Sequence, residues 1–387
     1  MSTRDPGVSD VIVIGAGPAG LATSRELRHH GVDHVVLERG PCLGHTWANL
    51  YDGLVLHTGK HLSSLPGLRF PPSTPLFPTR RNFVEYLNDY ATRFNLPVRT
   101  NAEVVRVTHS DGVWNVALAG DSRLASHVLV VATGIVSNPS VPDFPHQNRF
   151  RGRILHSVEY RRPDAHKGRR VLIVGAGNSA AEIAAELARA GADVTVSVRS
   201  GARVVPLRLL GIPIQYVAAT LNGLPLRAQR RIASAIAKLS EVFRGPAVLP
   251  PPVDTDCPDV PLIGFHLVDA VRAGAVRLKP AIRELTEDGA RFVDGTEAEF
   301  DEIMLATGYK AAVGMLGGLV HVDDCGFAAR HSRVVSADQP NLYFVGHNYD
   351  VRGGLRNIAI DARATARLIA NQLASSFKSM PKRSAIR

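Results

Sequence analysis

The chain has 387 residues, a formal net charge of +10, 45% hydrophobic and 21% charged side chains, the balance of a soluble globular protein long enough for two domains. No run approaches the roughly 20 consecutive apolar residues of a membrane span, and the opening residues lack the apolar core of a signal peptide. The basic excess is dispersed apart from the tail at 378–387 and has no nucleic-acid recognition motif beside it, so it points to polyanionic cofactors and away from nucleic acid.

In chain order, residues 11–14 form a fully apolar run, the pattern of a buried parallel strand. A helix is expected over 19–30 and a second strand over 35–37, which together make one βαβ unit. Between the first strand and the helix stands Gly15-Ala16-Gly17-Pro18-Ala19-Gly20. In this GxGxxG context Gly15 permits the tight turn, Gly17 lets backbone approach a pyrophosphate, and Gly20 lets helix and strand pack closely. Glu38 ends the second strand, with Arg39 after it, and its carboxylate is placed to accept from ribose hydroxyls. The only cysteines, Cys42, Cys257 and Cys325, are far apart and odd in number. They suggest no disulfide framework, metal spacing or redox pair, and a reducing cytoplasm is the default compartment. His57 and His61 are four residues apart without a third ligand, so no metal is expected.

A proline-rich loop is expected over 63–80, a helix over 83–94, and strands over 104–131 with Asp111-Gly112 as a hairpin turn. Residues 128–131 run into Ala132-Thr133-Gly134, and 303–305 run into Ala306-Thr307-Gly308-Tyr309. Each pair reads as a strand, a tight turn and a domain crossing.

The βαβ grammar returns at 171–198. Its fingerprint is Gly175-Ala176-Gly177-Asn178-Ser179-Ala180, with alanine in the third glycine position. The place of Glu38 is taken by Arg199, followed by Ser200. An arginine cannot accept from a ribose but pairs with a 2′-phosphate. This contrast assigns FAD to the first fingerprint and NADPH to the second. An amphipathic helix is expected over 226–243. The closing segment reads as a strand over 341–346, ending in Gly346, and a long helix starting after Gly353-Gly354.

The fold expected is α/β: two Rossmann-like dinucleotide-binding domains, the NADPH domain inserted into the FAD domain. The FAD domain would take 1–150 and 306–387. The NADPH domain would take 151–305, with a helical insertion at about 203–260.

Phe150, Gly152, His156 and Tyr160 have the spacing FxGxxxHxxxY just before the second fingerprint. By this signature the chain resembles the class B flavin-containing monooxygenases. Within them it most resembles the YUCCA type, which converts indole-3-pyruvate to indole-3-acetate. Leu37-Glu38-Arg39, Tyr51-Asp52, Phe77-Pro78-Thr79 and Ala306 to Lys310 carry the likeness over nearly the whole chain. Tyr160 is followed by Arg161, unlike the Baeyer–Villiger branch. Residues 202–265 depart from the plant pattern and are expected to line the substrate pocket.

The resemblance implies further roles. Gly44-His45-Thr46-Trp47 would lie beside the flavin, and Val104 would contact adenine through its backbone. The helix after Gly353 would point its N-terminus at the flavin pyrimidine, where its dipole favours an anion. His57 would stand where animal-type members carry an asparagine near the flavin peroxide, and is the candidate catalytic residue. The reaction implied is insertion of one oxygen atom through a C4a-peroxyflavin, with oxidative decarboxylation of a 2-oxo acid such as indole-3-pyruvate. Alternatives are N- or S-oxygenation of an amine or sulfide, and a flavin reductase or oxidase driven by NADPH. The partners expected are a small-molecule substrate and O2, with monomer and homodimer both open.

Overall fold

The computed structural model describes residues 8–220, 261–349 and 353–379, together with part of 221–260. The first domain opens with β1 (Val8–Ile14), α1 (Pro18–His29) and β2 (His34–Leu37). Val11, Ile12 and Val13 are fully buried, which is why this strand reads as continuous apolar sequence instead of alternating. Proline at the first position of α1 costs nothing there, because that N–H has no helical partner.

Next comes α2 (Arg80–Arg93). Its start, three residues earlier than the pattern suggested, is set by a reciprocal cap: Asn82 N–H donates to Thr79 Oγ1, and Thr79 N–H donates to Asn82 Oδ1, each at 3.2 Å. Such a box contributes about 1 kcal/mol, and it was not anticipated from the sequence. The short β3 (Val98–Arg99) follows, then the meander β4 (Val104–Ser110), β5 (Val113–Leu118) and β6 (Arg123–Val131). Asp111 and Gly112 both have positive φ at the β4–β5 turn, as the two-residue hairpin requires.

The chain then leaves for a second sheet: β7 (Arg153–His156), β8 (Arg170–Val174), α3 (Asn178–Arg189), β9 (Asp193–Ser197), β10 (Val276–Lys279) and β11 (Glu302–Leu305). All these strands are parallel, in the order β10-β9-β8-β11-β7. A small antiparallel sheet of residues 282–299 is inserted before β11. The chain returns to the first sheet through β12 (Leu342–Phe344) and ends its described part in the long α4 (Gly354–Ser379). The first sheet runs β3-β2-β1-β6-β5-β4, and β12 pairs with the C-terminal half of β6. The second dinucleotide unit is therefore inserted within the first, as the two Ala-Thr-Gly crossings at 132–134 and 306–308 suggested.

One feature differs from expectation. Cys257 and Cys325 are joined in a disulfide with Cα atoms 5.4 Å apart, where the sequence suggested three free thiols. Their separation of 68 residues gave no local signal, and the pair exists only because the insertion of the second domain folds against the segment leading to β12. In that insertion the described residues up to 220 form two-residue strands and the helix Ile214–Thr220. Within the amphipathic helix expected over 226–243 the described residues are helical, and the others lie outside the described residues. Among the described residues no helix is long and apolar enough to cross a membrane, and no group of three or more His, Cys, Asp or Glu is placed to hold a metal ion.

Candidate active site

The two fingerprints are built alike. Gly15 has φ +102°, and a Cβ there would stand 2.7 Å from the carbonyl oxygen of Ala132; Gly175 has φ +116°, and its Cβ would stand 2.5 Å from that of Ala306. The two Ala-Thr-Gly turns are thus the surfaces on which the fingerprint turns rest. Gly20 packs harder still, since a Cβ would meet the Gly15 carbonyl oxygen at 1.7 Å. Ala180 takes that place in the second copy and is fully buried. By contrast, among the described residues a Cβ on Gly17 or Gly177 would meet nothing within 4 Å. Both residues are helix N-caps with no side chain capping them. Open space beside uncapped helix N–H groups is an anion cradle, so the residues present fit a pyrophosphate at each helix.

A cleft runs from the first cradle. Its lining includes Gly15, Gly17, Pro18, Ala19, Glu38, Arg39, Thr46, Trp47, Val104 and Gly346, all named from the sequence. Glu38 is buried, and its carboxylate oxygens accept from Ala16 N–H at 2.8 Å and Gly40 N–H at 2.9 Å. Those bonds fix its orientation while leaving lone pairs for a ribose. Trp47 meets Phe83 edge to face at 4.6 Å. Sequence reasoning missed Thr133 to Ser137, Met315 and Tyr349 in this lining. The Ala-Thr-Gly turn signalled the first group, but it was taken only as a domain crossing. Burial pushes the Tyr349 phenol well above the usual tyrosine range, so it stays a neutral donor. Ile358, on the first turns of α4, also reaches the cleft.

The second fingerprint lines neither this cleft nor the next. Asn178 is occupied with a neighbouring loop: its Nδ2 donates to Pro261 O at 3.0 Å, and its Oδ1 accepts from Ile263 N–H at 2.8 Å. Ser179 is half-buried, Arg199 exposed and Ser200 half-buried beyond the end of β9.

The signature residues line neither cleft and build a joint. Gly152 has no room for a Cβ, which would lie 2.5 Å from Asp301 O. Phe150 is buried in the core under the inserted antiparallel sheet. His156 meets Tyr309 edge to face at 5.1 Å, and burial holds its imidazole below the usual histidine range. Tyr160 donates to Glu186 Oε2 at 2.9 Å.

His57, the candidate catalytic residue, is not among the residues lining the first cleft. It lines a second cavity with Tyr51, Val55, Glu182, Glu186, Leu207, Ile263 and His266. Its Nε2 bonds Glu182 Oε1, and Tyr51 O–H donates to Glu182 Oε2 at 2.5 Å. Burial, then the Glu182 charge, raises the Tyr51 phenol far above its ordinary range. Leu207 and Ile263 come from the stretch that departs from the plant pattern. Glu182 itself was not anticipated, because nothing in its helix distinguishes it from a solvated face.

The family model described as flavin-binding monooxygenase-like matches residues 8–325. The probable indole-3-pyruvate monooxygenase YUCCA1 of Arabidopsis thaliana is 34% identical over 380 residues, 95% of this chain and 91% of the relative. Indole-3-pyruvate monooxygenase YUCCA1 of Oryza sativa subsp. japonica is 35% identical over 320 residues, 80% of this chain and 79% of the relative. Among solved structures, a flavin-containing monooxygenase from Stenotrophomonas maltophilia superposes with TM-score 0.75 at 24% identity, covering 95% of this chain and 99% of its own. A bacillithiol disulfide reductase from Staphylococcus aureus superposes with TM-score 0.70 at 16% identity, covering 95% and 99%. At such identities the superpositions speak for the fold alone.

Proposed function

Because the chain belongs to the flavin-binding monooxygenase-like family, as a flavin-dependent oxidoreductase using FAD and NADPH, we propose that it decarboxylates a 2-oxo acid of the indole-3-pyruvate kind oxidatively. One atom of O2 would enter the acid product and one would leave as water. NADPH would supply two electrons, and the substrate carboxylate would depart as CO2. The observation that carries this reading is 34% identity over 95% of the chain to a probable indole-3-pyruvate monooxygenase.

In this reading Gly17, Glu38, Arg39, Thr46, Trp47, Val104 and Gly346 hold FAD in the first cleft. Gly177, Ser179, Ala180, Arg199 and Ser200 hold NADPH, with Arg199 on the 2′-phosphate. Asn178 acts on that site through the loop it pins. Bound FAD supplies oxygen activation, and the protein's part is to orient both nucleotides and exclude water. His57 handles a proton near the substrate. With Nε2 held by Glu182, Nδ1 is the ring atom left for exchange. Phe150, Gly152, His156 and Tyr160 act on the reaction through the joint they build.

One observation favours a second reading. The carboxylates of Glu182 and Glu186 line the cavity that holds His57, against one guanidinium, Arg189, and the net negative charge of those three groups favours a cationic amine or neutral sulfide over an anionic acid. NADPH consumption with 2-oxo acids, amines and sulfides, followed by product mass spectrometry, decides among these. A chain-shortened acid with matched CO2 supports the first reading. An N- or S-oxide replaces it with the second. NADPH oxidation without an oxygenated product would leave a reductase or oxidase.

A further inference from the structure

The segment after Trp47 belongs by chain position to the first domain, yet it is plugged into the second. Tyr51 is 7% exposed and sits in the hydrophobic cluster that contains Tyr160, Val171 and Ile183. Its ring lies 6.1 Å from that of Tyr160. Asp52 N–H donates to Arg161 O at 2.8 Å, and the Glu186 carboxylate lies 2.9 Å from where a Cβ on Gly53 would stand. Glu182 takes Tyr51 on one oxygen and His57 on the other, so both ends of the plug close on one carboxylate.

Besides the plug, the two domains are joined by two crossing strands that bond each other, by the Cys257–Cys325 disulfide, by the His61 ring on the Tyr216 hydroxyl at 2.8 Å, and by Arg208 over the Phe77 ring. Lys310 N–H donates to Asn138 O at 3.0 Å, Ala312 N–H to Gly134 O at 3.0 Å, and Ser140 N–H to Gly308 O at 2.9 Å. The disulfide and the Tyr216 and Arg208 contacts all come from the insertion at about 203–260, not from the sheet and helix of the second dinucleotide unit. The plug instead seats directly on that unit, through Glu182 of α3. Glu182 also lies one helical turn beyond Asn178, at the cradle end of α3. What grips the plug is thereby rigidly connected to the second nucleotide site.

We propose that Glu182 is a positioning residue: by catching Tyr51 and His57 it fixes the angle between the two nucleotide domains at which hydride passes from NADPH to FAD. Donor and acceptor atoms must approach to about 3–3.5 Å, and a misplacement of about 1 Å costs on the order of 100-fold in rate. The catch therefore acts on the limiting rate and not on nucleotide affinity. The inference is independent of which substrate is oxygenated.

The test uses Glu182→Ala, Glu182→Gln and Tyr51→Phe in the full chain. Gln keeps the shape but can accept from only one of the two donors. Phe keeps the buried ring and removes one donor. In the nucleotide-free protein, amide hydrogen exchange of segment 51–57 should rise in Glu182→Ala, with β1 and β8 unchanged. In the flavin-loaded protein without substrate, rapid mixing with NADPH should show the limiting rate of flavin reduction lowered by about tenfold or more. Half-saturating NADPH should stay within about threefold, since no affinity term is touched. Glu182→Gln and Tyr51→Phe should fall between Glu182→Ala and the parent, and Tyr51→Phe carries the test if Glu182→Ala fails to fold. A wild-type limiting rate in Tyr51→Phe and whichever Glu182 variant folds would overturn the proposal. So would a loss confined to NADPH affinity, or unchanged exchange in segment 51–57.

Discussion

Gly15 lies so close to Ala132 that a Cβ on the glycine would stand 2.7 Å from the alanine's carbonyl oxygen. Two residues on, a Cβ on Gly17 would meet nothing within 4 Å among the described residues. Two glycines of one motif are therefore required for different reasons, one by the fold and one by the ligand. Gly15→Ala should cost about 1–3 kcal/mol from its positive φ alone, and more from the backbone clash. Gly17→Ala should lose bound flavin, because its methyl fills the cradle, and yet unfold at nearly the temperature of the flavin-free parent, since bound flavin itself stabilises the fold. Thermal unfolding and flavin absorbance, measured on both variants, read this difference. A Gly17→Ala protein that retains its full flavin content would contradict the cradle.

Glu38 tests the other wall of that cleft. Its carboxylate holds Ala16 N–H and Gly40 N–H, so Glu38→Ala leaves two amides without their acceptor. Each costs about 1–3 kcal/mol when water cannot replace the bond. Lowered stability to urea together with loss of flavin is expected. Glu38→Gln keeps one acceptor oxygen and should fall between. If Glu38→Ala unfolds at the parent urea concentration, those two bonds contribute nothing.

What could be read beforehand follows from how locally each feature is encoded. The strand, glycine turn and helix of each fingerprint are specified within about thirty residues by apolar runs and glycine spacing, and the acid-for-arginine exchange at 38 and 199 is a matter of charge at one strand end. The duplication and the insertion could be read from the same local grammar. The lining drawn from Thr133 to Ser137 lay in plain view in a motif whose packing against Gly15 could not be seen in one dimension. The grip of Glu182 on Tyr51 and His57 joins residues more than a hundred positions apart. A glutamate on an amphipathic helix has no pattern that separates an interdomain catch from a solvated face. Asn178, named from the fingerprint, is also tied to the loop at 261–263, a partner that the fingerprint does not announce.

The Cys257–Cys325 bond spans 68 residues. In the chain-entropy account a closed loop of that length constrains the unfolded chain by about 4 kcal/mol. A reducing agent, or Cys325→Ser, should therefore lower the unfolding temperature, and reductant should do nothing further to the variant. Thiol titration of the denatured, unreduced protein should find one thiol, Cys42. Three thiols before reduction would show that the bond is not formed in solution.

His347 gives the protein an acid limit of its own. It is 2% exposed, packed between Phe344 and Phe327 at ring distances of 5.1 and 5.8 Å, and among the described residues neither ring nitrogen has a partner. Burial first, and the positive charge of Arg330 second, push its pKa down from 6.5 to about 3. Between those values the unfolded chain binds a proton that the folded chain refuses, so stability is complete above pH 6.5 and is lost as pH falls toward 3. The slope contributed approaches about 1.4 kcal/mol for each pH unit in that window. Carboxylates titrate over the same range, so the contribution is the difference between the parent and His347→Met. Urea unfolding at a series of pH values should show the variant losing less stability on acidification, and parallel curves for the two proteins would mean that His347 can be protonated in the folded state.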